Sequence, residues 1–262
     1  MEKSKNSIKN FFSSLKKQDT PQYKIYAAII AIILVIFLVY ISKKIFKKYK
    51  DYKNSKLWIL KGTKSARQRT IILQDPSLTD SKTIKRSKNE EAGIEFTYMF
   101  WVFINDWSYK YGQWKHIMHK GNESSWPLRA PGVWLHPKQN TMRVYMNTFT
   151  EIGQHVDIPN IPLNKWFFVA ISIKNSNLDV YINSNLVKRK ELNGIPKQNF
   201  SDLYLSAFDG FGGYLSNIRY FDYYASYAEL FRHMNRGPSM MPCIDSKEMP
   251  PYLTANWWTD NI

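Results

Sequence analysis

Residues 25–42 read IYAAIIAIILVIFLVYIS, 18 residues with no charge, glycine or proline. At about 1.5 Å per residue, a helix of this length spans roughly 27 Å, the thickness of a thin bilayer core. From Ile25 through Ile33 to Ile41 and Ser42 the run has no polar face, which a core helix of a soluble protein would show. A secretory leader has a shorter apolar core followed by small residues. Here Ser42 is followed at once by Lys43 and Lys44. The run predicts a single membrane-spanning helix, with the lipid bilayer as its partner. Thr20-Pro21 has the form of an N-cap followed by proline at the first helical position, so the helix should begin near Pro21.

Charge follows the same division. The 262-residue chain carries a formal +16, of which residues 1–69 hold +14 and residues 70–262 only +2. A nucleic-acid-binding body would carry its positive charge on the folded domain, so a nucleic-acid partner is not expected. Basic residues beside a span are attracted to anionic headgroups by about 1 kcal/mol each. Seven lysines fall within residues 43–56, and Lys43, Lys44, Lys47, Lys48 and Lys50 are the expected headgroup contacts. On the other flank, residues 10–24 hold only Lys16, Lys17 and Lys24. The positive-inside rule then places the C-terminal body on the cytosolic side. The lone Cys243 rules out an intrachain disulfide and fits a reducing compartment. In residues 1–20, Ile8, Phe11, Phe12 and Leu15 have the spacing of a short amphipathic surface helix; a disordered basic tail fits equally well.

Beyond residue 57 the pattern is that of strands. In EFTYMFWVFI (95–104), Phe96, Tyr98, Phe100, Val102 and Ile104 share one face, while Met99, Trp101 and Phe103 share the other. Both faces are apolar, which predicts an inner strand of a layered sheet. Further strands are expected at 57–60, 69–73, 114–119, 133–135, 141–147, 166–173, 178–182, 186–187, 202–207 and 214–221. The turns Asn175-Ser176-Asn177 and Asn183-Ser184-Asn185 join three of them as consecutive hairpins. Ser226-Tyr227-Ala228-Glu229 reads as a capping box opening a helix whose apolar face is Tyr227, Leu230, Phe231 and Met234, with Gly237 closing it. The expected organisation is a basic tail (1–20), a transmembrane helix (21–42), a Lys-rich stalk (43–56), an all-β domain (57–237) and an extended tail (238–262). That tail contains four prolines and the pair Trp257-Trp258, expected partner contacts because aromatics commonly anchor interfaces.

Four segments carry a family resemblance: FTYMFWVFI (96–104), WKHIMHKG (114–121), NTMRVYMNT (140–148) with KWFFVAISIKNSNLDVYINSNLV (165–187), and FGGYLSNIRYFDYYASYAELFRHMNRG (211–237). Their order resembles the laminin-G-like, concanavalin A-like jelly-roll modules, which implies an all-β sandwich. The whole arrangement of short basic N-terminus, single span, lysine stalk and jelly roll resembles virion membrane and minor capsid proteins of large nucleocytoplasmic DNA viruses. This implies a structural role on an internal membrane, facing capsid or scaffold proteins.

Catalytic sets are sparse. Concanavalin A-like hydrolases need two carboxylates flanking the scissile bond. The strands carry Glu95, Asp179 and Asp202 singly, so no enzyme is expected. His116 and His119, three apart on a strand, should point to opposite faces and share no metal ion. No cofactor is expected. The resemblance leaves calcium at the sandwich rim as an option, with Asp106, Asp209 and Asp222 as loop carboxylates. It also leaves glycan binding as an alternative, through Trp107, Tyr109, Tyr111 or Trp126.

Overall fold

The computed structural model describes residues 21–54, 56–87, 89–90 and 93–243. The expected amphipathic segment at 1–20 and the pair Trp257-Trp258 lie outside them. The chain divides into two compact units, one ending at Asn54 and the other beginning at Ser55.

The first unit contains one helix, α1 (Pro21–Asn54), of 34 residues. Within it, Ala28–Tyr49 is 22 residues long and apolar enough to cross a membrane, with none of it buried inside the protein. By length and composition this stretch fits a membrane anchor or a signal sequence. The helix does not stop at Ser42. It continues through the lysines, because Lys, Tyr and Phe are all compatible with helix and no glycine or proline intervenes before Asn54.

The second unit is a sandwich of two antiparallel sheets. Its strands are β1 (Lys56–Ser65), β2 (Thr70–Ile72), β3 (Asn89–Glu90), β4 (Gly93–Asp106), β5 (Lys115–Gly121), β6 (Arg129–Leu135), β7 (Thr141–Tyr145), β8 (His155–Pro159), β9 (Trp166–Lys174), β10 (Asn177–Ile182), β11 (Asn185–Glu191), β12 (Leu203–Leu205) and β13 (Gly212–Phe221). One sheet runs β1-β13-β4-β9-β10-β11, with β3 beside β4; the other runs β2-β12-β5-β6-β7-β8. The hairpin Asn183-Ser184 has positive φ at both central residues, the geometry whose twist matches the strands it joins.

Strand β4 lies centrally in the first sheet. Phe96, Phe100, Val102 and Ile104 face the second sheet, where they meet Ile117, Val133, Leu135, Met142 and Val144 in one buried cluster. Its opposite face is covered in part by α2 (Tyr227–Asn235), so the second layer over β4 is a helix. Leu230 of α2 packs with Met99, Trp101, Phe168, Ala170 and Tyr181. Ser226 makes no side-chain cap. Glu229 is drawn instead to Lys56 Nζ at 2.5 Å and to the Tyr223 hydroxyl at 2.7 Å. Of the expected apolar helix face, Leu230 is buried and Met234 half-buried, while Tyr227 and Phe231 stack on each other in solvent.

The two histidines of β5 correct the sequence expectation. The register of β5 against β6 shifts between His116 and Met118. This bulge turns both Ile117 and Met118 inward and brings His116 and His119 to the same outer face. They touch: His119 Nδ1 lies 2.7 Å from His116 Nε2. Ala207 N–H donates to His116 Nδ1 at 2.9 Å, and the Asn122 carbonyl lies 2.8 Å from His119 Nε2. The network assigns the tautomers. His116 Nε2–H donates to His119 Nδ1, and His119 Nε2–H donates to Asn122. Every ring nitrogen is used with both rings neutral, which leaves no place for a further proton. Phe208, from a loop in which Ser206, Phe208 and Asp209 all have positive φ, closes over the pair and stacks on Trp134.

Two predictions follow from this packing. Phe100→Ala, at a fully buried central position, should cost about 3–5 kcal/mol, read by denaturant unfolding of the full chain in micelles. Burial, reinforced by the charges of Arg129 and Arg69, pulls His119 down to about 4; burial and the neighbouring His119 hold His116 well below the usual range. The unfolded chain, titrating near 6.5, therefore takes protons first. The contribution of His119, of order 3 kcal/mol, is present above about pH 6.5 and is lost as pH falls toward about 4. A His116→Phe/His119→Phe variant should show a flatter pH dependence of its unfolding midpoint across that window; an unchanged slope contradicts the relay.

Candidate binding surfaces

The outer face of the first sheet is ordered in rows set by strand register. One row is Trp58, Arg219, Met99, Ala170 and Tyr181; the next is Thr63, Ser216, Trp101 and Phe168. Helix α2 and the segment following it cover much of these two. A third row, Ser65, Tyr214, Phe103 and Trp166, is left open. Its aromatic rings form a continuous platform, with Phe103 5.4 Å from Trp166 and 6.3 Å from Tyr214. Tyr214 is 41% exposed, and Phe103 and Trp166 are half-buried.

The described part of the C-terminal tail walls this platform. Thr63 N–H donates to Met241 O at 2.9 Å, Cys243 N–H donates to Thr63 O at 2.8 Å, and the Thr63 hydroxyl donates to Ser239 O at 2.6 Å. The tail thus runs parallel to β1. Gly62 permits this approach: it sits at φ +95°, and a Cβ there would lie 2.9 Å from the Cys243 backbone. The resulting shallow, open groove of about 510 Å³ lies between Phe103, Trp166 and Tyr214 on one side and Ser239, Met240 and Pro242 on the other. Met240 is 91% exposed and Met241 75%. Contiguous exposed apolar surface of this kind marks an interaction site.

The outer face of the second sheet is aromatic and cationic. Tyr204, His119, Gly132, Tyr145 and His155 are aligned across five strands. Arg143 is bound by Asp157 through two contacts of 2.6 and 2.7 Å, and Arg69 pairs with Glu123. The guanidinium of Arg129 lies 3.5 Å above the Tyr145 ring centroid and 5.5 Å from that of Trp126.

The strand carboxylates are engaged in structure. Asp179, 1% exposed, accepts from Arg189 at 2.6 and 2.7 Å and from the Tyr224 hydroxyl at 2.7 Å. Glu95 pairs with Lys174 and accepts from Tyr224 N–H, while Asp202 accepts from Gln74 N–H. The three loop aspartates do not converge. Asp106 and Asp209 flank Tyr109, whereas Asp222 lies past the opposite end of β13, roughly 30 Å along the strand. Among the described residues no three His, Cys, Asp or Glu side chains are grouped to hold a metal. Of the four loop aromatics, Trp107 packs on the core beneath the Lys115 ammonium and Tyr109 donates to Asp209 O. Tyr111 and Trp126 are 61% and 55% exposed. Lys43, Lys44, Lys47 and Lys48 are exposed along α1. The Tyr214–Phe103–Trp166 row was not foreseen. Its only sequence signal is that the second apolar faces of β4 and β9 exceed what a nine-residue helix can cover.

No curated protein matches the chain. Among solved structures it is similar to a point mutant of HCR/D, at 13% identity and a TM-score of 0.49, covering 70% of this chain and 51% of that one. It is also similar to the binding domain of botulinum neurotoxin DC in complex with rat synaptotagmin II, at 17% identity and 0.47, covering 70% and 52%. A third is the receptor binding domain of botulinum neurotoxin C/D mosaic serotype, at 13% and 0.48, covering 70% and 42%. The chain spans about half the length of these structures. The model of a laminin-G family, described as the concanavalin A-like lectin/glucanases superfamily, matches residues 78–230, more than half of the chain. With the two antiparallel sheets in place, the chain belongs to that laminin-G-like, concanavalin A-like family.

Proposed function

We propose that this is a non-enzymatic, single-pass membrane protein whose sandwich ties a bilayer to a protein shell or scaffold, in the manner of a minor capsid protein on an internal virion membrane. The observation that carries the reading is the open aromatic row Tyr214–Phe103–Trp166, on a domain joined to an apolar helix long enough to cross a membrane. The unbroken passage of α1 through its lysines favours an anchor over a cleaved leader. Ile25, Ile33 and Ile41 lie in the hydrocarbon with Ser42 at its edge, and Lys43, Lys44, Lys47, Lys48 and Lys50 snorkel to headgroups.

The groove takes an apolar segment of the shell or scaffold protein. The described chain leaves the sandwich at Cys243 on the groove's rim, and the residues beyond it include Trp257 and Trp258. Trp257 and Trp258 are proposed as further partner contacts, since aromatics commonly anchor interfaces. The exposed Trp126 favours glycan binding as a second reading, in which the domain is displayed outward as an attachment protein.

Orientation separates the two readings. Asn122 of the sequon Asn122-Glu123-Ser124 is exposed, so it reports on the compartment. On insertion into microsomes the sandwich should remain open to added protease and Asn122 unglycosylated; glycosylation at Asn122 overturns the tether. Removing residues 1–50 should release the sandwich from membranes and uncouple membrane from shell. Normal assembly of particles lacking residues 1–50 also contradicts it.

A further inference from the structure

The chain enters the sandwich at Lys56, which pairs with Phe221 across β1 and β13. Tyr220, the partner of the next residue Leu57, lines a cleft at that end together with Lys85, Arg86, Gln198 and Phe200. The loop between β11 and β12 (192–202) therefore lies at the end where β1 begins. The loop between β7 and β8 (146–154) is bonded to it: Phe149 N–H donates to Ile195 O at 3.1 Å, and Lys197 N–H donates to Asn147 O at 2.8 Å. The aromatic groove, beside Ser65, is at the opposite end of β1.

Both loops hold apolar tips in solvent. Phe149 is 70% exposed, Ile195 59% and Phe200 84%. The backbone beneath them is braced. Gln154, 2% exposed, donates through Nε2 to Thr148 Oγ1 at 3.0 Å and to Asn193 O at 2.9 Å, and its Oε1 accepts from Asn193 N–H at 2.8 Å. Asn199 Nδ2 donates to Lys120 O at 3.0 Å, next to Phe200. Tips held this way lose little conformational entropy on contact. Basic side chains flank them. The Lys197 ammonium lies 5.3 Å from the Phe149 ring centroid, and the exposed Lys85 and Arg86 share the cleft with Phe200. Of the carboxylates in these two loops, Glu151 accepts from Asn193 Nδ2 at 3.2 Å and Asp202 from Gln74 N–H at 2.9 Å. Among the described residues, no ion pair takes up Lys85, Arg86 or Lys197.

We propose that this end of the sandwich rests on the bilayer surface, with Phe149, Ile195 and Phe200 in the headgroup zone and Lys85, Arg86 and Lys197 on lipid phosphates. The contact presupposes that α1 is the retained span proposed above. Chain length holds the two within reach. From Ser42 the chain is helical to Asn54, and Lys56 follows two residues later. Lys56 therefore stands at most about 25 Å from the hydrocarbon edge, of which the headgroup layer fills about 5–8 Å, and tilt of α1 shortens the rest. Apolar tips gain by leaving water at the interface, and the flanking cations gain by attraction to anionic headgroups. Seated this way, the domain leaves its groove clear of lipid, roughly 30 Å along β1.

The test places a nitroxide on single cysteines of the full chain, in a Cys243→Ala background, in nanodiscs of phosphatidylcholine and phosphatidylserine. The labelled variants are Phe149→Cys and Phe200→Cys, with Leu38→Cys in the span and Tyr111→Cys, in the loop beyond the far end of β4, as references. The readout is the ratio of collisions with oxygen to collisions with a water-soluble nickel chelate. At Phe149 and Phe200 it should be several-fold above that at Tyr111 and below that at Leu38. Adding Lys85→Gln, Arg86→Gln and Lys197→Gln should lower the ratio at Phe200, and less so in phosphatidylcholine alone. All substituted positions but Lys197 and Cys243 are exposed, and matching unfolding midpoints confirm that each variant is folded. Ratios at Phe149 and Phe200 equal to that at Tyr111, with Leu38 in lipid, overturn the contact and leave the anchor standing. Shielding of both labels from oxygen and nickel alike also overturns it, because a protein then covers them. An unchanged ratio in the triple variant overturns the phosphate contacts. A water-exposed Leu38 overturns anchor and contact together.

Discussion

Strand β4 must bury two apolar faces at once, and the rest of the domain is arranged around that demand. Its inner aromatics require a second sheet, since each large side chain withdrawn from water contributes about 1.5–3 kcal/mol. Its outer residues Met99 and Trp101 require a further cover, which α2 supplies through Leu230. One helix of nine residues cannot also reach Phe103. The open row beside Tyr214 and Trp166 is therefore what remains when a doubly apolar strand is covered by a short helix on one side. A binding surface of this origin lies on rigid central strands, where an anchoring contact loses little conformational entropy.

Much of this follows from local pattern. Period-two alternation locates the strands, Asn-Ser turns mark the hairpins between β9, β10 and β11, and the apolar run marks α1. The misses have a common physical form, in that a non-local partner overrides a local rule. Alternation along β5 places His116 and His119 apart; one bulged residue unites them, and nothing within WKHIMH announces a bulge. The capping box in Ser226–Glu229 is locally sound, yet Glu229 finds a stronger partner in Lys56, at the start of the domain. Tyr227 and Phe231 have the spacing of a buried helix face, but the helix rotates to seat Leu230 and leaves them to stack in solvent. Arg129 could not be singled out at all, because its lack of a pairing carboxylate among the described residues depends on where Glu123 and Asp157 are spent.

Both units carry net positive charge, and the sandwich differs from face to face in its surface chemistry. Of the formal +16, residues 1–54, the unit of α1, hold +9 and residues 55–262 hold +7, with Lys56, Lys61, Lys64, Arg67 and Arg69 all at the start of the sandwich. The groove on one sheet is lined mainly by apolar side chains, whereas the opposite sheet presents aromatic rings beside the Arg129 guanidinium.

The central claim is that the groove beside Phe103 is filled by a shell or scaffold protein when the chain is in its membrane. Photo-crosslinking from a benzoylphenylalanine placed at Phe103, in the intact assembly, tests it most directly. The account predicts a crosslink to one shell or scaffold protein, abolished by Trp166→Asp, with a probe at the exposed position Asp80 on the domain surface giving none. Crosslinks confined to lipid, or to this chain itself, would contradict it.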